Sequence, residues 1–274
     1  MKLNLKALRK HWDLFASRDP LWAILTHPDR KDSRWDTREF FETGVWEIGR
    51  SLEQVEALHP IPRKRRALDF GCGVGRLTQP LAQHFEQVYG VDISASMIQQ
   101  AKDFNQHGSR CQYLVNQRDD LRIFPKEHFD FIYSNITLQH MPPRYSRRYI
   151  AEFMRVLGPG GTLLFQIPSK ARDAGSKIGR ATRTFYYRFL WDLLHPDTPY
   201  MGMYGVSKDE VVQLIGRQGG RLIHVAPDPA AEPEWEGYRY LVTRITPEAG
   251  VVPAVPHAQA MTGADRRSTI DESL

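Results

Sequence analysis

Short apolar segments alternate with amphipathic helical patterns along the middle of the chain. Five of these segments are predicted to form β-strands, at residues 67–70, 88–91, 111–115, 129–133 and 162–167. Helical patterns follow at residues 75–85, 94–105 and 145–156. Because parallel neighbouring strands need crossover connections, this alternation predicts an α/β fold with a doubly wound, mainly parallel sheet. Ligands of such sheets bind outside the carboxyl ends of the strands.

The length of the chain limits how many such domains it can contain. With 274 residues, it is long enough for one large α/β domain with additions and short for two. We expect an N-terminal helical cap at residues 1–60 and a main domain at residues 61–246. Residues 247–274 contain Pro, Ala and Gly without periodicity, and we expect most of this tail to be disordered.

A long helical pattern in the cap, at residues 37–58, carries an apolar stripe. Its apolar side chains recur at intervals of three and four residues, at Phe40, Phe41, Val45, Ile48, Leu52 and Val55. This spacing places them on one helix face, which we expect to pack on the main domain.

The alternation stops after the fifth predicted strand. A helical insertion at residues 169–206 follows, rich first in basic and then in aromatic residues. Ser207 and Glu210 then form a capping-box pattern that begins a helix at residues 208–217, in which Glu210 can reach back to the cap. Two strand-like segments, at residues 221–226 and 238–244, complete the main domain.

Charge, cysteine content and apolar runs limit the partners and the environment. The net charge of +5 is small for this length, and we interpret it as solvated surface. The two cysteines, Cys72 and Cys111, indicate no disulfide framework. The first residues lack a secretory pattern, and no apolar run reaches the roughly 18 residues that span a bilayer. We therefore expect a reduced, cytoplasmic protein, and nothing in the sequence indicates its oligomeric state.

A glycine-rich loop follows the first predicted strand directly and begins the first helical pattern. Gly71, Gly73 and Gly75 let the backbone turn tightly and let a ligand touch the main chain. Asp92 ends the second strand, where a carboxylate can accept both hydroxyls of a ribose. A dinucleotide fingerprint would need glycine at position 76, which is Arg76, and no Gly-Lys pair of a phosphate loop occurs. A nucleoside-type ligand without a pyrophosphate remains.

These residues and three later motifs carry a resemblance to a known family. The stretch "ALDFGCGVGRL" resembles the first motif of class I S-adenosylmethionine-dependent methyltransferases, and "GVDIS" supplies the ribose acid. "HFDFIYSNITLQHM" is similar to the fourth-strand motif, and "EFMRVLGPGGTLLFQIP" to the helix, turn and fifth strand. The resemblance implies a seven-stranded sheet whose last strand is antiparallel.

The resemblance also implies which residues bind the cofactor, S-adenosylmethionine. The methionyl end would be held by the first motif, at Asp69, Gly71, Cys72, Gly73 and Gly75. Asp92 would bind the ribose, and Ile93 and Met97 would pack on the adenine. Asn135 and Leu138 would lie beneath the cofactor. Many relatives have an aspartate for the adenine amine where this chain has Gln117, so Gln117 or Asp119 would take its place.

Two roles are open for His140, which follows the fourth strand on the cofactor side. A histidine there resembles a framework residue that bonds nearby backbone, and it is also the candidate catalytic base for a hydroxyl acceptor. Cys72 is expected to fill a position for a small residue. His195 and His224 are expected to be ordinary histidines, because no cluster has metal-ligand spacing.

The acceptor site is predicted only by region. The insertion would form a lid over the acceptor, a surface for lipid headgroups or a lipid-linked acceptor, a purely structural addition, or a nucleic-acid contact, for which the sequence has no strong signal. Trp22, Tyr186 and Tyr200 are the candidate substrate contacts. Trp12, Trp22 and Trp35 would close the same pocket from the cap or pack on the sheet.

The leading hypothesis is a methyltransferase that acts on an oxygen or nitrogen atom of a small molecule or glycoconjugate. A nucleobase amine methylase fits less well, because its [DN]-P-P-[YFW] motif would stand where the chain reads "SNIT". Lipid-linked, RNA and protein acceptors stay as alternatives, as does a non-catalytic cofactor-binding module. No metal is expected in the reaction.

Overall fold

The computed structural model describes residues 4–172, 194–195, 197–231 and 234–246. The helices are α1 (Leu5–Arg18), α2 (Pro20–Ile24), α3 (Thr37–Leu58), α4 (Thr78–Leu81), α5 (Ala95–Asp103), α6 (Pro143–Val156) and α7 (Lys208–Arg217). The strands are β1 (Arg66–Phe70), β2 (Gln87–Asp92), β3 (Cys111–Val115), β4 (Phe129–Ser134), β5 (Leu157–Ala171), β6 (Gly220–Asp228) and β7 (Trp235–Arg244).

The strands form one sheet in the order β3-β2-β1-β4-β5-β7-β6. Strands β1 to β5 pair in parallel, whereas β7 runs antiparallel to both of its neighbours, β5 and β6. The predicted mainly parallel, seven-stranded sheet with an antiparallel last strand is therefore confirmed. The strand order reverses between β1 and β4, and this switch point is where such sheets bind ligands.

Alternating side chains of the sheet pack against helices on its two faces. On one face, Ile48 and Leu52 of α3 and Ile98 of α5 pack with Ala67 and Phe131 of the sheet. On the other face, residues of α6 and α7 form a second cluster with the intervening strand positions. Both faces are covered, as the sequence predicts.

Helix starts agree well with the capping patterns. Helix α3 covers residues 37–58 as predicted, and Asp36 caps it by accepting from the Glu39 N–H at 2.9 Å. Ser207 likewise accepts from the Glu210 N–H at the start of α7. The predicted return contact, from the Glu210 side chain to the backbone of the cap residue, is wrong, because Glu210 pairs with Arg147 of α6.

Three predicted details are wrong. The helix expected at residues 75–85 is regular only over α4, since Pro80 has no N–H for the carbonyl of Arg76. Val45 of the predicted stripe is 48% exposed, whereas Phe40, Ile48, Leu52 and Val55 are buried. Strand β5 extends to Ala171, which pairs with Trp235, so regular structure continues into the start of the predicted insertion.

Parts of the chain predicted above lie outside the described residues. These are the tail from residue 247 onward and most of the insertion, including Tyr186. Among the described helices, none combines the length and the apolar character needed to cross a lipid bilayer.

Candidate functional site

A cavity of about 910 Å³, including space open to solvent, lies at the carboxyl edge of the sheet beside β1, β2 and β4. The wall consists of Leu5, Leu8, Trp12, Ala23, Ile24, Phe70, Gly71, Cys72, Gly73, Arg76, Leu77, Val91, Asp92, Ile93, Met97, Asn116, Asn135, Ile136, Thr137, His140, Met141 and Tyr149.

The glycine loop forms one wall of this cavity. The N–H groups of Gly71 and Cys72 both donate to the carbonyl of Val91, which ties the loop to β2. Gly71 has a φ of 79° and Gly73 a φ of 53°, a region that favours glycine. A Cβ at Gly71 would lie 2.2 Å from the Thr137 side chain. Glycine therefore permits both the turn and the close approach of the segment after β4.

Asp92 lies at the end of β2, beside the loop. Its Oδ2 accepts from the Gly73 N–H at 3.0 Å, and its Oδ1 accepts from the Ser94 N–H at 2.9 Å. Burial raises the pKa of Asp92, and these backbone donors act against that increase. Because each carboxylate oxygen has two lone pairs, Asp92 can still accept two ligand hydroxyls.

The segment after β4 forms the opposite wall. Asn135, Ile136 and Thr137 all line the cavity. Ile136 has a φ of 54°, which is unfavourable for a β-branched residue and marks local strain. The Thr137 hydroxyl donates to the Asn135 carbonyl at 3.0 Å and stabilises this turn.

The N-terminal helices cover the cavity from above. Leu5, Leu8 and Trp12 of α1 are part of its wall, together with two residues of α2. Helix α1 is attached next to Asp92, since the Ser94 hydroxyl donates to Asp13 Oδ1 at 2.6 Å. The apolar side chains of α1 and α2 and the polar groups of the glycine loop thus line the same cavity, a combination that suits a nucleoside ligand.

Comparisons with known proteins agree with this geometry. A family model described as a methyltransferase domain matches residues 68–165. The ubiquinone biosynthesis O-methyltransferase of Coxiella burnetii is 27% identical over 198 residues, which are 66% of this chain and 78% of that protein. The chain belongs to the class I S-adenosylmethionine-dependent methyltransferase family.

Further relatives support this assignment. The trans-aconitate 2-methyltransferase of Deinococcus radiodurans is 35% identical over 133 residues, 47% of each chain. The magnesium protoporphyrin IX methyltransferase of Synechocystis PCC 6803, solved with bound S-adenosylhomocysteine, has a TM-score of 0.58 at 16% identity. It covers 87% of this chain and 99% of its own, and at this identity it shows the shared fold.

The methyltransferase uses S-adenosylmethionine as its cofactor. The described wall fits this group in two respects. The glycine loop leaves open the space that side chains would fill, and Asp92 has lone pairs available for ribose hydroxyls. Ile93 and Met97 add apolar surface beside Asp92, as an adenine requires.

The structure brings together eight of the residues predicted for the site. These wall residues are Gly71, Cys72, Gly73, Asp92, Ile93, Met97, Asn135 and His140. Burial raises the pKa of Cys72 and keeps its thiol protonated, as expected for a packing residue.

Five predicted cofactor residues lie outside the cavity wall. Asp69 is behind the loop, where it accepts from the Thr78 hydroxyl at 2.7 Å, and burial raises its pKa to about 7. Gly75 faces the Tyr113 hydroxyl, and Leu138 is buried in the core.

The two candidates for the adenine amine are used elsewhere. Gln117 accepts from Arg9 of α1 at 2.7 Å, and Asp119 pairs with Arg148 of α6 at 2.8 Å. The strand-three residue in the wall is Asn116, directly after β3. The Asn116 side chain is itself bonded to the Asp120 carbonyl and the Arg118 N–H, so the residue that binds the adenine amine stays a prediction.

His140 is buried in the wall, and its two ring nitrogens have different partners. Its Nδ1 donates to the Gly202 carbonyl at 2.9 Å, which leaves Nε2 as the acceptor of the Gln139 amide at 3.2 Å. Burial lowers the pKa of His140 to about 4, so the ring is neutral at pH 7. Trp12 packs edge-on against it, with ring centroids 5.5 Å apart.

Of the candidate substrate contacts, Trp22 and Tyr200 do not line the cavity, and Tyr186 lies outside the described residues. Trp22 donates to the His27 carbonyl at 3.1 Å, although Ala23 and Ile24 beside it are wall residues. The Tyr200 N–H donates to the buried His11 at 3.3 Å. Trp35 similarly donates to the Leu25 carbonyl, so of Trp12, Trp22 and Trp35 only Trp12 lines the described cavity.

Sequence reasoning missed a charged pair at the base of the cavity. Arg76 lines the wall and forms an ion pair at 2.8 Å with Glu47 of α3, which is largely buried. The signal that could have found it is the interruption of the α3 stripe, where Gly44, Glu47 and Ser51 occur between apolar positions. Small or polar residues on a helix face that packs against the domain indicate that the surface under this face contains polar partners.

Proposed function

We propose that this methyltransferase transfers a methyl group to a hydroxyl oxygen of a small-molecule acceptor. The observation that carries this proposal is the enclosed cavity, in which the glycine loop and Asp92 are next to an apolar wall supplied by the N-terminal helices. A site closed by α1 and α2 favours a compact acceptor over a folded macromolecule. We accordingly propose that residues 1–60 act as a cap of the main domain.

The charges in the wall favour a hydroxyl over a carboxylate acceptor. Arg76 is the guanidinium of the described wall, and it is already paired with Glu47. A carboxylate acceptor would find no uncompensated cation in the described wall, because Glu47 balances the charge of Arg76. The relative with the longer match is named as an O-methyltransferase, which supports an oxygen over a nitrogen acceptor.

The wall residues have distinct roles in this proposal. The glycine loop receives the methionyl end of the cofactor, Asp92 the ribose, and Ile93 and Met97 the adenine. Bound S-adenosylmethionine would supply an activated methyl group: the acceptor oxygen would bond to the methyl carbon as the carbon–sulfur bond breaks, S-adenosylhomocysteine would leave, and the hydroxyl proton would pass to bulk solvent. The chain contributes alignment and exclusion of water, which lower the barrier.

His140 has the framework role in this proposal rather than that of a base. Its Nε2 lone pair already accepts from Gln139, and burial holds its pKa at about 4, which makes the ring a weak proton acceptor. Its Nδ1 bond to the Gly202 carbonyl joins the segment before α7 to the cavity wall.

The test has two stages, so that cofactor binding and acceptor choice are judged separately. Calorimetric titration with S-adenosylhomocysteine should show saturable binding, with NADH and ATP as controls that do not bind. Methyl-labelled S-adenosylmethionine is then offered with phenols, sugars, carboxylic acids, a phenol anchored in lipid vesicles, tRNA and protein. Label on free phenols or sugars supports the proposal. Label chiefly on carboxylic acids, vesicles or macromolecules contradicts it.

A further inference from the structure

Glu47 of the N-terminal helix α3 reaches to the end of β4, where three side chains donate to its carboxylate. Arg76 donates to Oε2 at 2.8 Å, while the Tyr133 hydroxyl and the Asn135 amide donate to Oε1 at 2.8 Å and 2.7 Å. Arg76 and Asn135 are both cavity residues. One carboxylate from the cap therefore holds two walls of the site.

The ionised form of Glu47 determines how Asn135 is oriented. Burial would raise the pKa of Glu47, but Arg76, Tyr133 and Asn135 together hold it below its usual value. A carboxylate accepts hydrogen bonds and does not donate them, so Asn135 must turn its NH₂ group to Glu47. The amide oxygen of Asn135 then points away from Glu47.

A second contact fixes the other end of the same amide. Arg239 of β7 donates to Asn135 Oδ1 at 3.4 Å, and Arg239 is itself held by Asp228 at 2.7 Å. This long bond uses one lone pair of Oδ1 and leaves the other for a donor. The amide is held between a carboxylate and a guanidinium, which allows one orientation only.

The turn that follows Asn135 is strained and touches the cofactor loop. Ile136 adopts its φ of 54° directly after Asn135, and Thr137 occupies the space that glycine leaves open at Gly71. Strain of this kind persists only where neighbouring contacts enforce it. The bond from Asn135 to Glu47 is such a contact, since it anchors the first residue of the turn.

We propose that Glu47 is a positioning residue that fixes Asn135, so that Asn135 Oδ1 accepts a hydrogen bond from the acceptor's hydroxyl group. This inference rests on the proposed function and specifies how the same site recognises its acceptor. A hydroxyl held by Oδ1 has its own oxygen lone pairs directed away from Asn135, where they can approach the methyl group. A compound without a donor hydrogen, such as the methyl ether of the same acceptor, cannot form this hydrogen bond with Asn135 Oδ1.

Variants at the two positions separate positioning from simple stability. Glu47→Gln keeps an oxygen for Asn135 but loses the ion pair, and Glu47→Leu loses both. Asn135→Asp places a second carboxylate against Glu47, whereas the double variant Glu47→Gln/Asn135→Asp restores an amide donor opposite a carboxylate, with the two groups exchanged. Glu42→Gln is the matched control, because Glu42 is an exposed carboxylate of α3 that pairs with Arg38.

The first measurement is the steady-state kinetics of each variant with the acceptor that the wild type methylates best. Glu47→Leu should lower kcat/KM for the acceptor about 100-fold, and Glu47→Gln about 10-fold, as expected for losing charge-assisted hydrogen bonds. The dissociation constant of S-adenosylhomocysteine should change less than about 3-fold. The double variant should exceed Asn135→Asp in kcat/KM. Wild-type kinetics in folded Glu47→Leu, or strictly additive losses, would overturn the proposal.

A second measurement needs no acceptor and keeps this inference distinct from the proposed function. The side-chain amide signals of Asn135, identified by their loss in Asn135→Asp, are followed by nitrogen-15 NMR of the full chain with S-adenosylhomocysteine. In the wild type and in Glu42→Gln, their chemical shifts should differ from those of solvent-exposed side-chain amides. In Glu47→Leu, the shifts should move to the values of exposed amides. Exposed-type signals in the wild type would contradict the positioning role. Failure of every hydroxyl acceptor with normal amide signals would instead contradict the proposed function.

Discussion

At the scale of single residues, the proposed role of Asp92 in binding the cofactor can be tested directly. Asp92 accepts two backbone N–H groups and retains lone pairs for a ribose. We expect Asp92→Ala to raise the dissociation constant of S-adenosylhomocysteine about 100-fold, because charge-assisted hydrogen bonds contribute about 1.5–3 kcal/mol each. Calorimetric titration measures this change. The control is Asp103→Ala at the exposed end of α5, and equal affinity of a folded Asp92→Ala protein would remove Asp92 from the site.

Two glycines offer a matched pair of substitutions with opposite expected effects. Gly71 has a φ of 79°, and its Cβ would lie 2.2 Å from Thr137, so Gly71→Ala should destabilise the protein by about 2–5 kcal/mol. Gly49 of α3 has no atom within 4 Å of its Cβ position, so Gly49→Ala should stabilise it by about 0.5–1 kcal/mol. Urea denaturation of both variants gives the two signs. If Gly71→Ala changed the unfolding free energy as little as Gly49→Ala does, the loop would not require glycine at position 71.

At the scale of elements, a few polar contacts hold helix α1 beside Asp92, the proposed ribose contact. Asp13 accepts from Ser94 at 2.6 Å, and Gln100 of α5 donates to the Ala16 carbonyl at 2.9 Å. We expect Asp13→Ala to increase the dissociation rate of S-adenosylhomocysteine about 10-fold, because the helix is released from its position next to Asp92. Stopped-flow displacement with tryptophan fluorescence follows this rate. The control is Lys6→Ala, at an exposed position of α1, which should leave the dissociation rate unchanged. An unchanged rate in Asp13→Ala would mean that α1 does not hold the ligand in the cavity.

The elements differ in how well local sequence predicts them. Helix α3 agrees at both ends, because its capping residue and its periodicity are local features of the chain. Helix α4 is shorter than predicted, because Pro80 interrupts the hydrogen bonds that the apolar spacing alone suggests. Strand β5 is longer, because its last residues are stabilised by pairing with β7, about which the segment itself contains no information.

At the scale of the whole molecule, the same distinction applies to the site. The glycine loop and Asp92 are predictable, since a strand, a turn and an acid follow one another in sequence. The bond between Glu47 and Asn135 joins residues 88 positions apart, and that between Arg9 and Gln117 joins residues 108 apart. Such contacts depend on how α1 and α3 lie across the sheet. No local pattern specifies that placement, which is why the N-terminal residues of the wall other than Trp12 were missed.

Two buried titratable groups make the stability of the whole molecule depend on pH in opposite directions. Burial lowers the pKa of His140 from 6.5 to about 4, so between these values the unfolded chain binds a proton that the folded one does not. This contribution to stability falls as the pH decreases. Burial raises the pKa of Asp69 from 3.8 to about 7, so its contribution falls as the pH increases through the same range. The pH profile of the wild type alone therefore hides both effects.

Substitution of one group separates the two effects. His140→Gln removes the histidine contribution, and its amide can still donate to the Gly202 carbonyl. The quantity to follow is the unfolding free energy of the wild type minus that of the variant. This difference should be about 3 kcal/mol smaller at pH 4 than at pH 7, since each unit of pKa difference corresponds to about 1.36 kcal/mol. Urea denaturation of both proteins at several pH values between these limits measures the change. A difference that is constant with pH would mean that His140 is not held as a neutral ring in the folded protein. A catalytic base exposed to the acceptor would then fit His140 better than the framework role.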